Sequence, residues 1–388
     1  MNKTRIISLI AISSLGVMAG CLIAPIEVRF IQTLVKDPFI TGLIFSLGTI
    51  FLFTFSIYVG RLSLKYGKRK ITLIGMIFGL IYPLIYATSL NAFQYIMGRF
   101  AWAFASVASW NMVNAIFQDE IKKSKRIAEL SGWRFSAQSI SGTLGSLTGG
   151  YLADLYGLRA PYFLIIFVYI LVLAIFLKNF PIKKEKVSVK LRKRKISASL
   201  KDIISNPFLF FRLFTEGITQ SHWAMEPILF PLAIYSLTQS NFATGIVFGA
   251  MGAIAMFALP LTGRFVDKTL PVTGLKLAFA LYILSLFILA FASSYEILFI
   301  GALLLSLGKT FNGPSIAKIE TENINSKLRG EYLGYFSAYD TLSGSLAALA
   351  TGYLLKFLTP NQVFLVFAIF TALGFLVGYI LFKIKLNK

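Results

Sequence analysis

Long apolar runs dominate the chain, and polar residues are confined to short intervals between them. A helix that crosses the hydrocarbon core of a bilayer needs about 20 apolar residues, each adding about 1.5 Å. Unbroken runs of this length are typical of helices rather than of barrel strands. They predict twelve membrane-spanning helices at about 6–28, 39–60, 70–89, 92–117, 127–153, 160–179, 208–236, 241–262, 272–293, 295–317, 328–355 and 361–382.

The first run follows Lys3 and Arg5, so its start resembles that of a signal peptide. However, its apolar stretch from Ile6 to Ile26 is longer than a signal-peptide core, and no small-x-small cleavage site ends it. We therefore expect it to be a retained span.

Composition excludes a soluble globule. The chain of 388 residues is 56% hydrophobic, 15% aromatic and only 14% charged, whereas an ordinary soluble domain is about 25% charged. A single cysteine, Cys21, excludes an internal disulfide framework, and a single histidine excludes a conventional histidine metal site. We expect neither a metal nor a cofactor.

The net charge of +22 follows the predicted topology. Of 38 Lys and Arg residues, 30 fall in the loops and ends of one side, four on the opposite side (Arg29, Lys36, Arg159 and Lys356) and four within spans. The positive-inside rule predicts cytoplasmic termini and a cytoplasmic middle loop in a multi-pass protein of the cell membrane. Anionic lipid headgroups account for the basic charge, so we expect no nucleic-acid partner.

The basic segment 181–206 divides the spans six and six. It predicts an N-terminal half at 1–180, a cytoplasmic linker and a C-terminal half at 207–388. A shift of 202 to 203 residues brings the halves into partial register, and such internal symmetry is typical of transporters built from repeats. The matches include Gly60-Arg61 with Gly263-Arg264, Lys65 with Lys268, Gly98 with Gly301, Glu129 with Glu331, Gly132 with Gly334, and Gly150-Tyr151-Leu152 with Gly352-Tyr353-Leu354.

Two interhelical segments carry a recognisable motif. The first contains Gly60, Arg61, Lys65, Gly67, Lys68 and Arg69, and the second Gly263, Arg264, Asp267 and Lys268. Both resemble the G-x-x-x-D-R/K-x-G-R/K-R/K loop of the major facilitator superfamily. The resemblance implies an all-α fold of twelve membrane helices in two six-helix halves, with these loops acting as conformational gates. Leu64 replaces the motif's aspartate in the first half, which predicts a weaker first gate. The alternative for either loop is a basic turn that serves only topology.

Span four begins Tyr95-x-x-x-Arg99, which resembles the start of a second superfamily motif whose arginine takes part in proton coupling in some members. An arginine within a span should face a cavity or a carboxylate. The alternative is a buried ion pair that only holds helices together.

Span five carries the small residues Gly132, Ser141, Gly145, Gly149 and Gly150. The pattern resembles a motif of the superfamily's antiporters, although Ser141 replaces a glycine and Ser146 the motif's proline. Small residues at this spacing also pack ordinary membrane helices closely, which is the alternative interpretation.

Polar residues at membrane depth are the candidates for proton coupling and the substrate cavity. They are Arg99, Arg134, Gln138, Glu216, His222, Glu226, Lys309 and Asp340. Glu216, Glu226 and Asp340 are the preferred proton carriers. His222 lies one turn from Glu226, so the two side chains can touch. One interpretation of His222 is a group that titrates at physiological pH, and the alternative is a lone hydrogen-bonded histidine. The balance of charges within the spans does not choose between anionic and cationic substrates.

These features favour a secondary transporter of a small organic solute, working by alternating access as a monomer. Proton-coupled efflux is the preferred interpretation because of the motif in span five. Proton-coupled uptake of a metabolite such as a sugar or carboxylate is the alternative, and a transporter-like membrane sensor is a further one. The sequence has no G-x-x-x-x-G-K-S/T motif for direct ATP drive, and one histidine with one cysteine argues against an enzyme.

Overall fold

The computed structural model describes residues 3–121, 127–181, 196–324 and 329–387. Within these ranges the regular structure is entirely helical, with fifteen α-helices and one π-helical segment. Most of the predicted linker lies outside these ranges. Gly132 belongs to α7, but its packing lies outside the described set. By the contacts within the chain, the protein divides into two compact units. The first contains residues 1–190 and 239–253, and the second contains residues 191–238 and 254–388.

The first unit contains the helices of the predicted spans one to six. They are α1 (Lys3–Ile23), α2 (Glu27–Leu34), α3 (Pro38–Tyr66), α4 (Lys68–Thr88), α5 (Ala92–Ala105), the π-helical segment (Ser106–Asn111), α6 (Met112–Ile121), α7 (Ile127–Tyr156) and α8 (Ala160–Asn179).

The second unit contains the helices of the later spans and a short helix from the end of the linker. They are α9 (Ile196–Ser205), α10 (Pro207–Thr238), α11 (Asn241–Lys268), α12 (Pro271–Ala290), α13 (Tyr295–Asn323), α14 (Arg329–Leu354) and α15 (Pro360–Leu386). The first part of α11, up to Ala253, groups with the first unit.

The predicted helices are present, with two interruptions. Pro25 lies in the turn between α1 and α2, where a residue without an N–H cannot continue the helical hydrogen bonding. Span four is continuous but changes to π-helical geometry over Ser106–Asn111. Short π-helical segments within α-helices occur frequently at functional sites.

Nine helical stretches in the described part of the chain are long and apolar enough to cross a membrane. The other three predicted spans correspond to α7, α10 and α14. These helices carry polar side chains at membrane depth, among them Arg134, Glu216 and Asp340. These three candidate residues therefore lie on helices outside the nine stretches.

Side-chain caps fix several helix starts. Asp37 accepts a hydrogen bond from the Phe39 backbone N–H at 2.9 Å and is followed by a proline, both favourable at the start of α3. Thr359 and Gln362 form a reciprocal capping box at the start of α15. These polar caps satisfy backbone donors that would otherwise end in an apolar surrounding.

Small residues let α7 lie directly against α1. A Cβ atom on Gly145 would come within 2.6 Å of the Met18 carbonyl oxygen, and one on Gly149 would overlap the Leu22 carbonyl. Only hydrogen fits at both positions. This close approach is the packing alternative considered for the small residues of span five.

Candidate functional site

Arg212 on α10 lies at the centre of a charged cluster in the second unit. Its two Nη atoms donate to the two carboxylate oxygens of Asp340 on α14, each at 2.7 Å. Its Nε donates to Glu320 on α13 at 2.9 Å, and the Phe336 ring lies 4.2 Å from the guanidinium carbon. The planar guanidinium suits such bidentate pairing. One buried arginine thus joins three helices of this unit.

Glu216 lies one helical turn after Arg212 and is held by amides. Its Oε1 accepts a hydrogen bond from Asn312 Nδ2 at 2.6 Å, and its Oε2 accepts one from Gln220 Nε2 at 3.3 Å. The residue is only 7% exposed. Within the described ranges, no cationic nitrogen lies within 4.0 Å of its carboxylate. A proton can therefore be added to Glu216 without breaking an ion pair.

A second ion pair links α10 to α13. Lys309 Nζ lies 2.5 Å from Glu226 Oε2 and 3.6 Å from the centre of the Trp223 ring. The other oxygen of Glu226 is buried and has no hydrogen-bond donor in the described part of the protein. The charges of this pair are matched one to one.

His222 and Glu226, which are close enough along α10 to touch, form no hydrogen bond with each other in the described structure. His222 Nε2 pairs instead with Thr371 Oγ1 on α15 at 2.8 Å, and the Tyr282 ring packs 4.7 Å away. The other ring nitrogen has no partner among the described residues. Although Glu226 is one turn along α10, packing against α15 decides where the imidazole goes. The arrangement matches the alternative of a lone hydrogen-bonded histidine.

Arg99 meets a carboxylate that the sequence interpretation had not singled out. Its guanidinium lies 3.1 Å from Glu27 at the start of α2, and both side chains are less than a tenth exposed. Tyr95 donates its hydroxyl to the same carboxylate at 2.8 Å. Glu27 falls near the end of the first apolar run, just after Pro25, and this position was the available signal. Arg99 therefore faces a carboxylate, as expected.

Tyrosine rings enclose this pair. Tyr86 stacks on Tyr95 with 4.2 Å between ring centres, and the Tyr162 hydroxyl lies 3.4 Å from that of Tyr95. All three rings are completely or almost completely buried. The Arg99–Glu27 pair is thus a closed arrangement without solvent access.

Arg134 on α7 has neutral partners only in the described part of the chain. Its Nη1 donates to Asn114 Oδ1 at 2.6 Å and its Nε to Ser13 Oγ at 3.2 Å. The rings of Phe117 and Trp110 lie 4.9 and 5.8 Å from its guanidinium carbon. Gln138, one turn further along α7, is also buried.

The first predicted gate segment is mostly helical. Gly60 and Arg61 belong to α3, which continues to Tyr66, six residues beyond the predicted end of span two. The side chains of Arg61 and Leu64 lie outside the described set, so the effect of the missing aspartate stays a prediction. Gly67 separates α3 from α4 with a φ of +87°, a conformation that glycine adopts without steric cost.

The basic residues of this segment have partners in the same unit. Lys68 Nζ lies 2.6 Å from Asp119, and Arg69 donates to the Pro181 carbonyl at 3.1 Å. Lys65 lies over the Tyr66 ring at 5.1 Å. These contacts tie the start of α4 to α6 and to the residues that follow α8.

The second gate segment forms the end of α11, which continues to Lys268. Gly263 is half-buried, whereas the side chains of Arg264, Asp267 and Lys268 are exposed. Lys318 on α13 donates to three carbonyl oxygens at this helix end, those of Val266, Asp267 and Thr269, at 3.0, 3.1 and 2.8 Å. A cation at a helix C-terminus is favourable because the unpaired carbonyls carry negative charge there.

The small residues of span five divide between two neighbours. Gly145 and Gly149 face α1, and Gly150 lies against the backbone of Asn241 at the start of α11. Ser141 is half-buried. The positions therefore pack helices within the first unit, while the antiporter interpretation of the motif stays a prediction.

Asp154, in the last turn of α7, caps the start of α11. Its carboxylate accepts hydrogen bonds from Ser240 Oγ at 2.7 Å and from the backbone N–H groups of Asn241 and Phe242, both at 2.9 Å. Arg29 in turn donates to Asn241 Oδ1 at 2.6 Å. The sequence interpretation missed this residue, although it follows the Gly149-Gly150 pair closely.

The described residues contain no group of three or more His, Cys, Asp or Glu side chains placed to hold a metal ion.

Comparison with known proteins identifies the family. A model of the major facilitator superfamily matches residues 6–293 and 223–386. The chain belongs to the major facilitator superfamily. This superfamily is one of membrane transporters, so the protein is an integral multi-pass transporter with a small-molecule substrate.

Two curated proteins are similar to this superfamily member over most of its length. It is 24% identical to "Uncharacterized MFS-type transporter MJ1560" of Methanocaldococcus jannaschii, over 92% of this chain and 93% of that protein. It is 27% identical to "Multidrug resistance protein MdtG" of Salmonella schwarzengrund, over 81% of this chain and 79% of that protein. These similarities extend over most of each sequence.

Solved structures share the fold. The nucleoside transporter NupG gives a TM-score of 0.75 at 14% identity, covering 99% of this chain and all of that chain. An auto-inhibited POT family peptide transporter gives a TM-score of 0.80 at 10% identity, covering 98% and 96%. At these identities the likeness concerns the fold alone.

Proposed function

We propose that this transporter exports a small organic compound across the cell membrane in exchange for protons, with Glu216 as the proton carrier. The observation that carries the proposal is the position of Glu216. It is a buried carboxylate next to a charged cluster, and its hydrogen-bond partners are the neutral amides of Asn312 and Gln220.

The charges around Arg212 support this choice of residue. One guanidinium faces Asp340 and Glu320 directly, and Glu216 adds a third carboxylate one turn away. The cluster therefore has a net charge of −2 when all three acids are ionised and −1 when one is protonated. Since uncompensated charge is unfavourable in an apolar surrounding, proton uptake at the unpaired carboxylate relieves part of the excess.

The other preferred proton carriers are less suited by their contacts. Asp340 binds Arg212 through both oxygens, and Glu226 is matched by Lys309. Protonating Asp340 would disrupt its bidentate pairing with Arg212, and protonating Glu226 would leave the buried Lys309 without its counter-ion, which is strongly unfavourable. Protonation of Asp340 or Glu226 would therefore need a compensating change elsewhere, whereas protonation of Glu216 would not.

Export in exchange for protons is supported by the relatives named for multidrug resistance and by the small-residue pattern of α7. In this scheme a proton and the solute occupy the transporter alternately. Glu216 binds its proton from the outside and releases it to the cytoplasm, and each release permits a solute to bind. We further propose cytoplasmic termini, from the distribution of basic residues, and a functional monomer.

Flux into proteoliposomes tests the direction of coupling. The full chain would be reconstituted, the lumen made acidic, and permanently charged probes added outside, namely benzenesulfonate and tetraphenylphosphonium. Their fixed charge avoids passive redistribution with pH. Exchange predicts accumulation of a transported probe in the acidic lumen beyond that in protein-free vesicles. Exclusion from the acidic lumen would instead indicate symport and contradict the proposal.

The Glu216→Gln variant tests the carrier. We expect gradient-driven accumulation to fall at least tenfold, while probe–probe exchange without a gradient is retained. Glu296→Gln is the matched control, because this carboxylate is exposed at the start of α13 and should leave both activities unchanged. Wild-type accumulation in Glu216→Gln would assign the proton to another group.

A further inference from the structure

Arg134 differs from the other buried cations of the protein. Arg99 lies beside Glu27, Arg212 beside Asp340 and Glu320, and Lys309 beside Glu226. Arg134 is 5% exposed, yet within the described ranges its polar partners are the Asn114 amide oxygen and the Ser13 hydroxyl. The rings of Trp110 and Phe117 also lie close to its guanidinium carbon.

Neutral acceptors and rings compensate a buried guanidinium only in part. A cation–π contact stabilises a cation only modestly, whereas a charge left without a counter-ion inside a membrane protein is far more unfavourable and commonly marks a functional position. Arginine stays charged under all ordinary conditions, so loss of its proton cannot relieve the excess. The site is therefore complete only when an anion is present.

A second group nearby also lacks a partner. Gln138 lies one turn after Arg134 on α7, hence on the same face of the helix. It is 7% exposed, and its side-chain Nε2 has no acceptor among the described residues. A buried amide donor without an acceptor is unfavourable, because the hydrogen bond to water that is lost on burial is not replaced. On this face of α7, Gln138 thus lacks an acceptor and Arg134 lacks a counter-charge among the described residues.

The end of the π-helical segment carries exposed side chains, one of which lies near Arg134. Asn111 at its end is exposed, and Trp110 beside it is 36% exposed although its ring lies near the Arg134 guanidinium. Asn114, the acceptor of the Arg134 hydrogen bond, is half-buried. The partly exposed Trp110 ring and Asn114 amide therefore lie beside an otherwise buried cation.

We propose that Arg134, with Gln138 and Asn114, forms a recognition site for the anionic group of an organic solute, so that the transported compounds are organic anions. The inference rests on the proposed transport function and specifies its substrate class. A carboxylate or sulfonate would accept two parallel hydrogen bonds from the guanidinium and one from Gln138. The Trp110 ring would pack against an apolar part of the same molecule.

Equilibrium binding to the purified full chain tests the site without any proton gradient. Tryptophan fluorescence would be titrated with benzenesulfonate, benzoate and phenyl phosphate, and with benzenesulfonamide as the neutral counterpart. We expect at least one anion to bind at least tenfold more tightly than the sulfonamide. Arg134→Gln should weaken anion binding at least tenfold, and Arg134→Lys several-fold, because lysine keeps the charge but not the planar fork.

Arg159→Gln is the matched control. It removes the same charge at the start of α8, where Arg159 donates to the Ser89 carbonyl at 2.9 Å. Anion binding should be unchanged in this variant. An equal loss in both variants would indicate a general effect of net charge and would overturn the proposed site.

Asn114→Asp gives a test that does not depend on removing Arg134. The new carboxylate would lie within hydrogen-bond distance of the guanidinium and supply the missing anion internally. We expect a higher unfolding temperature than that of the wild type and at least tenfold weaker anion binding. Unchanged anion binding in Asn114→Asp or in Arg134→Gln would overturn the proposal, as would a wild type that binds none of the three anions.

The two proposals can fail separately. A wild type that binds anions through Arg134 but does not accumulate them in an acidic lumen would contradict proton exchange and leave the anion site intact. Accumulation of tetraphenylphosphonium in an acidic lumen, with no anion binding, would contradict the anion site and leave proton exchange intact.

Discussion

The two units bury their principal arginines in different ways. In the first unit Arg99 has one carboxylate partner, Glu27, and both lie in a shell of tyrosine rings. In the second unit Arg212 has two carboxylate partners, and a third carboxylate lies one turn away. A matched and enclosed pair has no capacity to take up charge, whereas a cluster with an extra acid has.

The two units also differ in the sign of the buried charge that has no counter-ion among the described residues. In the first unit this charge is the Arg134 cation, and in the second it is the Glu216 carboxylate. The unpaired groups, not the ion pairs, are therefore the ones to which we assign ligand and proton. This distinction predicts which substitutions destabilise the protein and which change its transport.

The largest expected effect on stability comes from breaking the enclosed pair. Glu27→Gln leaves the Arg99 guanidinium buried without a counter-ion, which should lower the free energy of unfolding by about 3–5 kcal/mol. Unfolding in mixed detergent micelles measures it. Glu216→Gln should change stability much less, since its partners are amides. If the two variants were equally unstable, the contrast between a closed pair and an open cluster would be wrong.

The next largest loss of stability is expected where a glycine lies against the backbone of a neighbouring helix. Gly149→Ala would place a methyl group into the Leu22 backbone carbonyl of α1, which has no freedom to move aside. We expect a loss of about 1–3 kcal/mol from overpacking. Gly217→Ala in the second unit is the control, because its methyl group would meet the Tyr339 hydroxyl at 2.6 Å, the end of a side chain that is 36% exposed. Comparable losses in both variants would show that backbone contact is not the deciding feature.

A smaller effect is expected from removing one acid of the cluster. In Glu320→Gln, Arg212 keeps its bidentate bonds to Asp340, so the loss should be about 1–2 kcal/mol, near that of one charged hydrogen bond. The same micelle unfolding assay measures this loss. If the free energy of unfolding fell as much as in Glu27→Gln, Asp340 alone would not be a sufficient counter-ion for Arg212.

Much of the fold could be predicted from the sequence because lipid imposes a simple length requirement. Each predicted span matches a helix or a pair of consecutive helices, and the resemblance carried by the Gly60 and Gly263 segments led to the correct superfamily. Helix ends were less accurate. Residues Gly60 to Tyr66 read as a polar loop, yet α3 continues through them because only Gly67 breaks the helix.

The candidate residues were predictable, but their partners were not. Membrane-depth charges are conspicuous in an apolar sequence, which is why Arg99, Glu216 and Lys309 stood out. Pairing depends on tertiary packing: His222 bonds to Thr371, 149 positions away, rather than to its helical neighbour Glu226. Glu27 and Asp154 were missed because each lies at the end of an apolar run, where charge is common.

The smallest effect concerns a carboxylate at the end of a helix rather than within the membrane. Asp154 lies just past predicted span five. Partial burial acts to raise its pKa, but hydrogen bonds from Ser240, Phe242 and Asn241 outweigh it and hold the pKa below its ordinary value. A lowered folded-state pKa means that the stabilisation is present above the unfolded pKa of about 3.9 and is lost as the pH falls through the folded value.

Asp154→Asn should therefore reduce stability at pH 7 by about 0.5–1 kcal/mol, the range of a helix cap. The difference from the wild type should begin to shrink below about pH 4, where the unfolded carboxylate takes up a proton, and should be lost as the pH falls through the lowered folded pKa. Unfolding temperatures between pH 3 and 7 would measure it, with Asp119→Asn as a control because Asp119 forms an exposed pair with Lys68. A difference that stayed constant with pH would show that the charge of Asp154 does not stabilise the start of α11.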